Sequence, residues 1–179
     1  LVFQDPMTRL NPLMTVGGHL LDTLQVHRPK AGNSWHISHA KKLLELVGIG
    51  PERFQAYPHE LSGGMRQRLG IALAIALTPP LVIADEPTTS LDVAIANQVM
   101  SELSSLCNDL GSALLLISHD LAMASRWCER IAILDEGHIV EEGNTRDVLL
   151  NPQSMIGKRL VGAVRAREGR RQPQLFENP

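Results

Sequence analysis

The chain has 179 residues, a formal net charge of −2, and 44% hydrophobic and 20% charged residues. This make-up fits one ordinary globular domain and excludes a disordered chain, a collagen-like repeat and a disulfide-stapled mini-protein. Cys107 and Cys128 form no framework and no CxxC pair, so they read as reduced cytosolic thiols, and no apolar run approaches the roughly 20 residues that span a bilayer.

Leu1–Phe3 is an apolar, β-prone stub that runs into a loop at Gln4-Asp5-Pro6. Helical spacing follows over residues 10–24, and residues 25–34, rich in Pro, Gly and Asn, read as a loop. Residues 40–47 form an amphipathic helix stopped by Gly48 and Gly50. Ser62 caps the next helix, whose predicted buried face is Met65, Leu69, Ala72, Leu73, Ala76 and Leu77, with Pro79-Pro80 ending it. Leu81-Val82-Ile83-Ala84 has no alternation, which is how a strand buried on both faces of a parallel sheet reads. A long helix capped near Ser90 follows, with Ile95, Val99, Leu103, Leu106, Cys107 and Leu110 as its apolar face. Gly111 closes it, and residues 113–117 form a second buried strand. Strand, crossover helix and strand make a βαβ unit. A helix over about residues 121–128 leads to a strand at 131–134, a turn at Asp135-Glu136-Gly137 and a hairpin partner. Residues 143–150 give a short last helix. Beyond it, six cations stand against the single acid Glu168 between Lys158 and Arg171. This basic run reads as a solvated, poorly ordered tail rather than a nucleic-acid surface, since the six aromatic residues are scattered and offer no stacking platform.

Asp85-Glu86 and His119 each follow a buried parallel strand at its C-terminal end. Ligands of open α/β sheets bind outside those ends. Two carboxylates and an imidazole there are candidates for holding a metal and managing protons. Ser62-Gly63-Gly64 opens a helix, where bare backbone amides and the positive end of the helix dipole favour an anion. An acidic helix start would not by itself require the ordered run of apolar strand, Asp-Glu, Pro-Thr-Thr and Ser90-Leu91-Asp92.

In this order, Gln4, Ser62-Gly63-Gly64, Asp85-Glu86, Ser90-Leu91-Asp92 and His119 resemble an ABC-type ATPase. Val2-Phe3-Gln4-Asp5-Pro6, Leu10-Asn11-Pro12, Val140-Glu141-Glu142-Gly143 and Asn151-Pro152 resemble the dipeptide, oligopeptide and nickel importers within that family. The resemblance implies an α/β fold: a partial P-loop NTPase core with a parallel sheet and a helical subdomain, ending in a β-hairpin and a short C-terminal helix. Residues 1–5 would end a core strand and enter the Q-loop. Residues 6–77 would form the helical subdomain, 78–150 the catalytic core half, and 151–179 a C-terminal extension.

The resemblance also implies roles. Gln4 would sense Mg²⁺ and the γ-phosphate. Ser62, Gly63 and Gly64 would contact ATP bound to the opposing subunit, with Gln67 counted among the nucleotide-binding residues. Asp85 would hold Mg²⁺, Glu86 would be the general base, Asp92 would belong to the loop bridging two sites, and His119 would attend the γ-phosphate. ATP and Mg²⁺ are the implied cofactors, with no zinc and no iron–sulfur cluster, since no cysteine follows Cys128. Implied partners are a second ABC ATPase subunit, identical or not, membrane permease subunits and, indirectly, a solute-binding protein, at the cytoplasmic face of the inner membrane. Nucleic acid is not expected; the alternative reading is a soluble ABC ATPase acting on nucleic acid or ribosomes.

Two features depart from the family pattern. No G-x-x-x-x-G-K-[ST] occurs, and the one Gly-Lys pair, Gly157-Lys158, has no strand–loop–helix context. With the Q-loop at residue 4 and Leu1 in place of a methionine, the chain reads as lacking an N-terminal part with the phosphate loop, and as inactive by itself. Gln153-Ser154-Met155-Ile156 stands where the family commonly has His-Pro-Tyr-Thr. His36 and His39 have HxxH spacing but no acid or cysteine beside them, so they read as a solvated or packed helix face, and Trp35 and Trp127 as packing residues.

Overall fold

The structure, a computed structural model, describes residues 1–3, 10–89 and 91–168. Gln4 and its loop, Ser90 and the end of the basic tail lie outside the described residues. The chain forms two compact units, Leu1–Ile117 and a second from Ser118 onward.

In the first unit, Thr15 Oγ1 accepts the Gly18 amide and starts α1 (Val16–His27). The segment expected to be a loop, 25–34, is shorter: α2 (Asn33–Leu46) begins well before residue 40. Packing overrides the Pro/Gly/Asn composition here, because His36 is buried and its Nε2 lies 3.0 Å from the Arg28 carbonyl oxygen. Short 3-10 turns at Pro51–Gln55 and Pro58–Glu60 lead into α3 (Gly63–Ile75). Leu20, Leu24, Leu44, Ile49, Leu69, Ile71 and Ile75 are fully buried in this unit. Each such aliphatic side chain contributes about 1.5–3 kcal/mol. The buried face of α3 is Gln67, Leu69, Ile71, Ala72 and Ile75, while Met65, Leu73 and Leu77 are half-buried. From Leu69 to Ile75 the helix carries no polar side chain, so spacing alone does not choose its face there.

β1 (Leu81–Asp85), α4 (Val93–Leu110) and β2 (Ala113–Ile117) form the expected βαβ unit, paired in parallel from Leu81↔Ala113 to Asp85↔Ile117. Val2 adds a parallel bridge to Ala84 on the other edge of β1. The expectation of burial on both faces is corrected. Val2, Val82 and Ala84 are buried, but Leu81, Leu115 and Ile117 are 46%, 49% and 47% exposed. Among the described residues, elements cover one face of this sheet and leave the other half open. The α4 cap is Asp92, whose Oδ1 accepts the Ala94 and Ile95 amides at 3.0 Å. Its buried face keeps Val99, Leu103, Leu106 and Cys107 and includes Ala96 and Met100 in place of Ile95 and Leu110. The helix ends at Gly111 with φ 67°.

In the second unit, Asp120 caps α5 (Leu121–Trp127). β3 (Arg130–Asp135) and β4 (His138–Asn144) are an antiparallel hairpin closed by Glu136-Gly137, with φ of 46° and 81°. Two positive φ values in a two-residue loop match the right-handed strand twist. After α6 (Thr145–Leu150) comes α7 (Met155–Glu168), so the chain does not end on one short helix as expected. The charge reading of this stretch overlooks Ile156, Leu160, Val161 and Val164 at helical spacing, of which Val161 is 3% exposed. The divergent Gln153-Ser154 pair starts α7. Glu141 accepts the Gln153 amide at 2.7 Å and the Ser154 amide at 2.9 Å, and Ser154 Oγ accepts the Gly157 amide at 2.8 Å. A Cβ on residue 157 would meet the Glu141 carboxylate and the Ser154 hydroxyl, so a larger residue there would have to displace these two groups. Arg165 donates to the Leu149 carbonyl at 2.7 Å and ties α7 to the end of α6. Among the described residues no helix is long and apolar enough to cross a membrane.

Candidate nucleotide site

Asp85 is exposed at the C-terminal end of β1, and Glu86 follows it half-buried. Glu86 has φ 47°, in the left-handed region. For a residue with a side chain this costs on the order of 1–3 kcal/mol, and such strain gathers at functional positions. Two ties hold it. The Glu86 amide donates to the Ile117 carbonyl of β2 at 2.9 Å, and Thr89 Oγ1 donates to Glu86 Oε2 at 2.6 Å. The strand therefore breaks sharply after Asp85, and a neighbouring hydroxyl orients the second carboxylate.

A second group of residues gathers at the start of α3. Ser62 is the cap, its Oγ accepting the Met65 amide at 3.3 Å, and Ser62 and Gly63 are exposed. First-turn amides and the helix dipole make this end attractive to an anion. A Cβ on Gly64 would lie 3.2 Å from Ile95 Cγ2, and one on Gly63 3.8 Å from Leu91 Cδ2. The structure thus seats Ser62-Gly63-Gly64 against residues flanking Asp92. A bidentate pair fixes the two helices: Arg68 Nε and Nη2 donate to Glu102 Oε2 and Oε1 at 2.7 and 2.6 Å, and Gln98 adds a bond at 3.1 Å.

Gln67, grouped by resemblance with the nucleotide-binding residues, sits in the interior. It is 1% exposed and its Nε2 donates to the Phe3 carbonyl oxygen at 3.3 Å. The available signal is its spacing of four from Ile71 and eight from Ile75 on the buried face. His119 is exposed in the second unit, between Ser118, whose Oγ accepts the Asp120 amide at 3.1 Å, and Asp120, which caps α5 through the Ala122 and Met123 amides. Gln4 lies outside the described residues.

The other histidines have local duties. His39 stacks on Trp35 with ring centroids 4.6 Å apart, and His138 Nδ1 lies 3.0 Å from the Glu136 carbonyl oxygen. Burial pushes both thiols up, with the Glu129 charge adding to the effect at Cys128. Raised thiols are poor nucleophiles and poor metal ligands. The oxygen-only pair Asp85-Glu86 suits a hard divalent cation, and the start of α3 suits phosphate.

A profile of the ABC transporter family matches residues 1–89. The chain is 40% identical over 181 residues to a probable peptide ABC transporter ATP-binding protein, y4tR, of Sinorhizobium fredii, covering 100% of this chain and 54% of that protein. It is 47% identical over 155 residues to the dipeptide transport ATP-binding protein DppD of Haemophilus influenzae, covering 86% and 47%. The chain belongs to the ABC transporter ATPase family. It spans about half the length of these two relatives. Among solved ABC structures, cbiO1 of Clostridium perfringens, part of the transporter complex cbiONQ, aligns over 94% of this chain and 63% of its own with TM-score 0.73 and 25% identity. The ATP-binding cassette MJ0796, a dimer in a post-hydrolysis state bound to ADP and Pi, aligns over 81% and 62% with TM-score 0.68 and 28% identity. The ABC ATPase fold of the chain is that of these structures.

Proposed function

We propose that these residues belong to the ATP-hydrolysing subunit of an importer for peptides or similar solutes, driven by closure of two such subunits around ATP. The observation that carries the reading is the strand end: Asp85 exposed at the end of β1, then Glu86 held in a left-handed conformation by Ile117 and Thr89. The names of the peptide and dipeptide relatives and the dimeric cassette support the same assignment.

In this reading Asp85 holds Mg²⁺, with Gln4 as a further ligand, and Glu86 accepts the proton of the attacking water. Bound Mg²⁺ supplies neutralisation of the charge that gathers on the transferring phosphoryl group. Ser62 Oγ and the amides of Gly63 and Gly64 serve ATP held by the opposing subunit, Asp92 keeps the bridging loop in place by capping α4, and His119 attends the γ-phosphate. Residues 6–77 act as the helical subdomain that receives a permease subunit, at the cytoplasmic face of the inner membrane. A solute-binding protein is the indirect partner.

The test uses a subunit that joins these 179 residues to a phosphate-loop segment. Glu86→Gln is expected to leave ATP binding within about twofold while lowering phosphate release by about 100- to 10,000-fold, with closed dimers accumulating on size exclusion. Phosphate release at the parental rate would remove Glu86 from the role of base. The 179 residues by themselves, without a Gly-x-x-x-x-Gly-Lys cradle, are expected to show no ATP turnover. Turnover that Glu86→Gln abolishes would overturn that expectation.

A further inference from the structure

The signature residues and the metal-holding carboxylate stand on different elements, α3 and β1, and one buried side chain links them through a third segment. Gln67 lies just beyond the first turn of α3, and its Nε2 donates to the Phe3 carbonyl oxygen at 3.3 Å. Phe3 adjoins Val2. The Val2 amide donates to the Ile83 carbonyl at 2.7 Å, and the Val2 carbonyl accepts the Asp85 amide at 2.9 Å. Residue 2 thus holds the backbone of Asp85, and α3 holds residue 3.

At one and two turns further along the same buried face, α3 carries Ile71 and Ile75. Packing alone would be satisfied by an aliphatic side chain at 67 as well. A primary amide that is 1% exposed stays favourable there because it has an acceptor. The geometry points to Gln67 as a positioning residue that fixes the end of β1, and with it Asp85, against the signature helix. A displacement of α3 is then passed through residues 2–3 to the metal-holding strand end. Gln67 does this without touching nucleotide. The inference rests on the reading of Asp85 as the Mg²⁺ residue.

Hydrogen exchange on the 179-residue chain gives the first test. Gln67→Leu is expected to speed exchange of the Asp85 amide by about tenfold, while the Glu86 amide, bonded to Ile117 rather than to Val2, keeps its protection. The second test uses the subunit joined to a phosphate-loop segment. Gln67→Leu is expected to raise the half-saturating Mg²⁺ concentration and lower kcat by about 10- to 100-fold, with Mg²⁺-free ATP binding unchanged. Gln67→Glu decides the matter even if the leucine variant does not fold. A carboxylate cannot donate to the Phe3 carbonyl, whereas a carboxylic acid can, and burial favours the acid. The activity of Gln67→Glu relative to the parent is therefore expected to rise several-fold from about pH 8.5 to about pH 6.5. A flat ratio, or parental Mg²⁺ dependence and Asp85 exchange in Gln67→Leu, would overturn the inference. The Glu86→Gln variant in the same subunit reports separately on the hydrolytic reading, because it leaves the Gln67 bond intact.

Discussion

At the scale of single residues, Glu86, the proposed base, sits in a strained backbone conformation. Removing its side chain with Ala loses the Thr89 bond and keeps the left-handed backbone cost; removing it with Gly loses the bond and relieves the cost. Glu86→Gly is therefore expected to be more stable than Glu86→Ala by about 1 kcal/mol in urea denaturation, though both lack hydrolytic activity. An alanine variant as stable as the glycine variant would show that the backbone there is unstrained. The identities of Asp85, Glu86 and Ser62 as site candidates were legible in their spacing. The conformation of Glu86 was not, because the carbonyl that holds it belongs to Ile117, on a strand reached only after α4. The burial of Gln67 was hidden for a related reason: its acceptor, Phe3, lies 64 residues away, so no local pattern shows that bond.

Among whole elements, helix existence was mostly legible and helix facing was not. α3 and α4 were found from apolar spacing, yet each buries a slightly different face, since α3 has no polar side chain from Leu69 onward and the Arg68–Glu102 clamp also helps set how the two meet. α7 was hidden under its own charges. Its first turn depends on Glu141 of β4, an acceptor outside the helix that no local pattern announces. That dependence gives a pH signature. The Ser154 hydroxyl, foremost, and the Gln153 amide hold the Glu141 carboxyl below the usual carboxylate range. A lowered folded pKa adds stability above the unfolded value of about 4.3 and loses it as pH falls through the lowered value. Protease cleavage within α7 is accordingly expected to increase below about pH 4, and Glu141→Gln to flatten that dependence. Cleavage rates that stay level in the parent down to about pH 3 would count against the clamp.

For the molecule as a whole, the open sheet face dominates. An uninterrupted apolar strand reads as buried on both sides, but here Leu81, Leu115 and Ile117 remain about half exposed. The apolar run predicts cover on both sides, and the described residues cover one. Contiguous apolar surface of this kind takes up apolar dyes and favours association. Paired Leu115→Lys and Ile117→Lys substitutions are expected to cut dye fluorescence of the 179-residue chain several-fold while changing its urea midpoint little. Unchanged fluorescence would mean that the dye binds elsewhere.

The bridge between Val2 and Ala84 also bears on how the molecule comes together in time. β1 meets β2 by closing a loop of about 30 residues, whereas the contact with residue 2 closes one of about 80, an added entropic cost of under about 1 kcal/mol. Pairings so remote in sequence are slow to find, however small that cost, and α1, α2 and α3 can form from local contacts beforehand. Residues 1–3 are thus among the last of the described residues to reach their place. Because the Asp85 amide takes its partner from Val2, the strand end acquires its final geometry at the close of folding rather than at its start.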